Sequence, residues 1–243
     1  MTFGEFKPQF ARGRRELLSA AAAAGVALVA CATAGGQPAM PAHGDPKDEK
    51  EDEEGEEAEV TPGEDLMQEH GVLERVLLIY DEAARRIEVK ETVDPALIKS
   101  AAEIIQRFIE NYHEKNEEQF VFPRLQAAGR EVDLVAVLLR QHQRGREVTD
   151  EIVRQASSGA SAELARALRS FTRMYRPHAA REDTVLFPAF RAVVGRNGYH
   201  ELGEQLEDKE HELFGEKGFE NAVADVAKLE AALGIGDLAR FTP

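Results

Sequence analysis

The sequence predicts an all-α fold, an antiparallel up-down-up-down four-helix bundle over residues 61–195 followed by a helical extension over 196–243. Three observations carry this expectation. Four successive segments place apolar residues at alternating spacings of three and four, the buried stripe of a helix packed against neighbours. The connections between the segments are short, which joins antiparallel helices. One pattern, H-x-x-x-E-[ED]-x-x-x-F-P, occurs twice, from His113 to Pro123 and from His178 to Pro188, on the second and fourth segments.

The first helix opens at Thr61-Pro62-Gly63-Glu64, a capping box with proline at the first helical position. Its stripe is Leu66, His70, Leu73, Leu77, Tyr80, Ala84 and Ile87. A second helix starts at Asp94-Pro95 and carries Ile98, Ala102, Ile105 and Ile109 to the face of His113 and Glu117, ending near Pro123 and Gly129. The third is expected over residues 131–156, with Val135, Leu138, His142, Gly145, Thr149 and Ile152 on one face. Ser157-Ser158-Gly159 breaks the chain. The fourth shows Leu164, Leu168, Phe171, Tyr175, His178, Glu182 and Val185 together and ends at Gly195. Pro177 should kink it or strip a carbonyl one turn back of its partner. Two further amphipathic segments, residues 199–214 and 219–233, are expected to pack outside the bundle.

Composition removes several function classes. An apolar fraction of 43% in 243 residues supports a core. A net charge of -15, with no cluster of Lys or Arg beyond the N-terminus, argues against nucleic acid or an anionic membrane surface as partner. Cys31 is the single cysteine, so neither an intramolecular disulfide nor a cysteine-held metal is available. P-loop, G-x-G-x-x-G and G-x-S-x-G patterns are absent.

Residues 1–31 read as an export signal: Lys7, Arg12, Arg14 and Arg15 precede an uncharged run, Leu17 to Ala30. Gly13-Arg14-Arg15-Glu16-Leu17-Leu18 resembles a twin-arginine motif, and Leu28-Val29-Ala30-Cys31 resembles a lipobox whose cysteine is lipidated, making a lipid anchor at Cys31 the only membrane attachment. A plain cleavable signal is the alternative. Residues 32–60 are an acidic, self-repelling tether, and His43 within it is assigned no ligand role.

His70, His113, His142 and His178 fall on the core faces of four different helices, and His113 and His178 are each followed one turn on by a glutamate, Glu117 and Glu182. Burying four imidazoles and two carboxylates without partners costs several kcal/mol per ionised group, on the order of the penalty for any buried charge, so something positive must compensate. A divalent metal does so, and imidazole with carboxylate suits iron, manganese or zinc. The competing reading places Glu117 and Glu182 in salt bridges with Lys or Arg.

With these residues in place, positions 61–195 resemble the hemerythrin-like, or HHE cation-binding, family. The resemblance implies two non-haem irons, His70 and His113 on one, His142 and His178 on the other, with Glu117 and Glu182 bridging. Glu118 and Asp183 follow each glutamate, and Asp183 rivals Glu182 for the bridge. The oxygen carriers of that family have a second histidine one turn after the third-helix histidine; here Arg146 stands there, either solvated or near the site, pairing with Glu117 or an anionic ligand. The implied function is binding or reduction of oxygen, peroxide or nitric oxide in the cell envelope, the partner being a small diatomic or peroxide. An iron- or oxygen-responsive sensor or metal buffer is the rival, and a metal-free structural lipoprotein a third reading. Gly145 leaves space for a small molecule or allows close packing. Tyr112 and Tyr175 flank the motifs as candidate hydrogen-bond partners of ligands. Glu210-His211-Glu212 belongs to a segment read as a capping helix.

Overall fold

The computed structural model describes residues 61–242. The segments read above as an export signal and an acidic tether, Cys31 included, lie outside the described residues. Among those described, the chain is all-helical with no strand. Helix α1 is Pro62–Glu88, opened by the capping box read from the sequence: Glu64 N–H donates to the Thr61 hydroxyl, and Thr61 N–H donates to the Glu64 carboxylate. Helix α2 spans residues 95–127 and is capped by Asp94, whose carboxylate accepts from Ala96 N–H. Helix α3 is Val132–Ser157. Helix α4 covers residues 162–194, begins with Ser161 accepting from Leu164 N–H, and stops at Gly195, whose φ of 66° is left-handed. Helices α5 (residues 196–214) and α6 (Gly218–Leu233) follow, then one 3-10 turn, Leu238–Phe241.

Helix α1 packs along α4, α4 along α3 and α3 along α2, while α6 lies against α1 and α2. Side-chain pairs fix the directions. Arg176 reaches Glu74 and Asp81, and Arg169 reaches Asp81 and Glu88, so numbers rise along α1 as they fall along α4. Between α2 and α3 the pairs Glu118–His142, Glu114–Arg146 and Gln106–Asp150 behave the same way.

The core is in two parts. A larger cluster includes Leu77, Tyr80, Ile98, Ile105, Phe108, Ile152, Leu168 and Phe171. A smaller one, at the other end, gathers Leu66, Phe122, Leu125, Leu138, Phe187, Phe190, Tyr199 and Leu202. On each of the four helices the predicted ligands divide the two: Leu66 and Val72 flank His70, Tyr112 and Val121 flank His113 and Glu117, Leu138 and Val148 flank His142, and Tyr175 and Leu186 flank His178 and Glu182. Helix α5 closes the smaller end. Tyr199 is buried there and its hydroxyl accepts from Gly63 N–H at 2.9 Å, in a position where a Cβ at residue 63 would lie 2.2 Å from that hydroxyl. Helix α6 adds Ala222, Val226 and Leu233 to the larger cluster, and Arg75 forks onto Glu230. No helix among the described residues is long and apolar enough to cross a membrane.

The helices carrying the repeated motif are not uniform α-helix. In α2, Ile105–His113 and Glu117–Val121 are π-helical, and in α4 so is Glu182–Leu186. The two turns after the glutamates have an identifiable cause. Pro123 and Pro188 have no N–H to return to the carbonyl four residues back. The residue before each proline reaches back five instead, Phe122 N–H to Glu117 and Phe187 N–H to Glu182. One extra residue per turn shifts the face that follows. Val185, expected on the buried stripe, is therefore 37% exposed, and Leu186 and Phe187 take the core positions. Helix α4 runs through Pro177 without interruption; the irregular turn comes at Glu182.

Candidate metal centre

The six residues singled out from spacing meet in one place. The Nε2 atoms of His70 and His113 are 3.0 Å apart, and those of His142 and His178 are 3.2 Å apart. Glu117 spans the two pairs, with Oε2 3.7 Å from His113 Nε2 and 3.5 Å from His142 Nε2. Glu182 does the same from the opposite side: Oε2 is 3.4 Å from His70, and Oε1 is 3.1 Å from His178 and 3.9 Å from His142. Two compact groups result, His70 with His113 and Glu117, and His142 with His178 and Glu182. His142, Glu117 and Glu182 are wholly buried.

Each imidazole is held from behind. Nδ1–H donates to Asp183 from His70 at 2.7 Å, to Glu69 from His113 at 2.7 Å, to Glu118 from His142 at 3.2 Å, and to the Gln141 carbonyl oxygen from His178 at 2.9 Å. An acceptor at Nδ1 keeps the proton there and turns the Nε2 lone pair inward. Within each pair two lone pairs then face each other at about hydrogen-bond distance, an arrangement that repels unless a cation sits between them.

The repeated motif is now readable position by position. His113 and His178 turn Nε2 toward His70 and His142, and Glu117 and Glu182, one turn on, span the pairs. The next residue, Glu118 or Asp183, crosses to a neighbouring helix and orients a histidine there. The phenylalanine stacks on that same histidine: Phe122 on His142 at 5.5 Å and Phe187 on His70 at 5.7 Å, with rings nearly parallel. The proline imposes the π-turn that brings the phenylalanine round. Asp183 thus orients His70, and Glu182 is the residue positioned between the pairs.

Electrostatics bear on whether a cation fits. None of the four oxygens of Glu117 and Glu182 has a hydrogen-bond partner, although all are buried. Burial, then the Glu182 charge, pushes the Glu117 carboxyl well above the usual range. Burial acts likewise on Glu182, but the adjacent His178 and His70 outweigh it and hold that carboxyl low. For His70, burial lowers the pKa, yet Asp183 and Glu182 together raise it to about 9. His113 is driven well below its usual value, first by burial and then by the His70 charge, and burial brings His142 down to about 4. With protons alone, the centre keeps Glu117 neutral, sets a charged His70 against Glu182 and suppresses the charge on His113 and His142. Orphaned oxygens and inward lone pairs fit a metal ion better.

Arg146 does not pair with Glu117. Its guanidinium contacts Glu114 at 2.6 Å and Glu118 at 2.7 Å, and Tyr175 donates to the other Glu114 oxygen at 2.6 Å. The space beside Gly145 is filled by the Tyr175 phenol, since a Cβ at 145 would lie 1.9 Å from its hydroxyl oxygen. Tyr112 packs edge-on against Phe214 of α5 at 5.4 Å. His200 and His211 are exposed and join no metal-like group among the described residues. Glu69, Glu114 and Gln141 were not singled out from the sequence. Glu69 and Gln141 had a signal available, as each immediately precedes a stripe histidine, His70 and His142.

The model of the hemerythrin HHE cation-binding domain matches residues 61–190. The chain belongs to this family. It is 45% identical over 244 residues to uncharacterised proteins of Mycobacterium bovis and of two strains of Mycobacterium tuberculosis, spanning 97% of this chain and 93% of each relative. No solved structure matches it. The family binds cations, usually iron, and the buried His and Glu groups are ones that could hold a metal ion.

Proposed function

We propose that this hemerythrin-family chain holds two iron ions, one on His70 and His113 and the other on His142 and His178, with Glu117 and Glu182 bridging them at the centre of an up-down-up-down bundle. The observation that carries this reading is the convergence of four Nε2 atoms on two buried carboxylates that lack other partners. The opposed side-chain ladders between α1 and α4 and between α2 and α3 support the topology.

When bound, iron supplies one-electron redox chemistry and Lewis acidity toward oxygen, peroxide or nitric oxide. The protein's part is orientation and exclusion. Asp183, Glu69, Glu118 and Gln141 fix the four rings, Phe122 and Phe187 cover two of them, and α5 seals the end beyond those phenylalanines. No second histidine follows His142, and Arg146 is engaged with Glu114 and Glu118, so the pair of ions keeps positions for a small ligand. We propose further that the chain acts in the cell envelope, carried there by the signal in residues 1–31 and anchored at Cys31.

Metal analysis with an absorption spectrum on protein from iron-replete cells tests the reading. About two irons per chain with near-ultraviolet charge-transfer bands, and consumption of peroxide or nitric oxide by the loaded chain, are expected of a di-iron centre. A zinc-filled or metal-free bundle overturns the proposal; iron without turnover leaves a sensor or buffer.

A further inference from the structure

The two halves of the centre match closely, and their differences fall on one side. His70 and His113 both give Nδ1–H to a carboxylate, Asp183 and Glu69. In the other half His178 gives its proton to Gln141, a neutral amide, and the Glu118 that receives from His142 also shares its charge with Arg146 at 2.7 Å and Lys115 at 2.6 Å. A carboxylate behind an imidazole raises its basicity as a ligand, and an amide or a neutralised carboxylate does so less. A cleft also reaches this half. Between α3 and α4 lies a cleft of about 240 Å³ whose lining includes Val137, Gln141 and His178, so it opens onto the weaker half. Val137 is 40% exposed at its rim.

We infer that the two metal positions are inequivalent: the one on His142 and His178 exchanges its ion through the α3–α4 cleft, with Gln141 setting the looser hold, while the one on His70 and His113 is retained. This rests on the two-metal reading above. Ligand type and route both assign exchange to the same half, and neither depends on the bridging carboxylates, which the halves share.

The test uses the full chain loaded anaerobically with ferrous iron and mixed with excess chromogenic chelator. Release should occur in two phases of equal amplitude, differing at least about tenfold in rate, the size of effect expected from a change behind a ligating histidine. Gln141→Glu should slow the fast phase toward the slow one, and Glu69→Gln should speed the slow phase. Val137→Trp, filling the mouth of the cleft, should slow only the fast phase and leave the iron count at two. Two irons leaving in one phase, or a fast phase indifferent to Gln141→Glu and Val137→Trp, overturns the inference and leaves the metal site standing. A chain that binds no iron removes the site reading itself, and the inference with it.

Discussion

Glu118 and Asp183 sit next to Glu117 and Glu182 in sequence and do a different job, because one step along a helix turns a side chain by about 100° toward another neighbour. Glu117 and Glu182 point between the histidine pairs, and Glu118 and Asp183 point across to His142 and His70. Removing a ligand and removing its support should therefore differ. Glu117→Gln or Glu182→Gln should strip the chain of metal, whereas Glu118→Gln or Asp183→Asn should weaken binding about 10–100-fold while the loaded state survives at high iron. Metal content after dialysis, with chelator competition, separates the two; Asp183→Asn emptying the site while Glu182→Gln keeps both ions would reverse the assignment. Arg146 has a third kind of role. It is the cation between Glu118 and Glu114, which is 1% exposed and whose carboxyl burial pushes up to about 8, so Arg146→Met should leave Glu114 holding its proton and Glu118 on Lys115 and His142 alone, and cost about 1–3 kcal/mol for the partner removed from buried polar groups. Urea unfolding of the metal-free chain measures it, and an unchanged midpoint would show that the ion pairs contribute nothing.

At the scale of the element, the π-turns decide which residues face inward after each glutamate. A regular α-helix buries Val185 and turns Leu186 aside, and the observed helix does the opposite. Val185→Asp should shift stability by less than about 0.5 kcal/mol, as surface changes do, while Leu186→Asp puts an unpaired charge in the smaller cluster and should cost more than about 4 kcal/mol. Equal costs would mean that the α register persists through Glu182. The contact of α3 with α4 at Gly145 offers a second check. Gly145→Ala drives a methyl into the Tyr175 hydroxyl and should cost about 1–3 kcal/mol, with Tyr175→Phe in the same chain recovering part of it; additive losses would mean the two do not meet. These cases mark where the sequence was legible. The stripes of three and four located the helices, the caps at Thr61 and Asp94 fixed the starts of the first two, and four histidines with two glutamates located the site, since all of these depend on local spacing. The π-turns were written in Phe-Pro, but their effect on Val185 depends on which carbonyl the preceding N–H selects. The partners behind the histidines depend on how helices dock. Glu69 and Gln141 orient histidines on other helices, and Arg146 found Glu114, a residue on α2 with no periodic signature.

For the whole molecule, the candidate site is a layer between two apolar clusters, so metal binding and folding are expected to be coupled. A cation held at about a thousand times its dissociation constant adds roughly 4 kcal/mol to the folded state. In a body of this size each kcal/mol moves the melting temperature by about 2–4 °C, so each metal stripped should lower it by about 8–16 °C. The loss should not be uniform. The larger cluster is braced by α6, whereas the smaller one reaches the rest of the bundle across the polar layer and along α5, whose Phe214 packs on Phe108 and Tyr112. In the metal-free chain, amide exchange should therefore quicken at Leu66, His70, Val121, Phe122, Leu138, Leu186, Phe187 and in α5 as far as Leu206, while Tyr80, Ile105, Ile152 and Phe171 keep their protection. Restoring ferrous iron should return protection to the first set in step with iron bound. A stripped chain that melts within about 2 °C of the loaded one, less than the shift expected of even a single kcal/mol, would show that protons satisfy the layer as well as metal does. A uniform loss of protection would show that the two clusters fold as one and that the polar layer is no boundary.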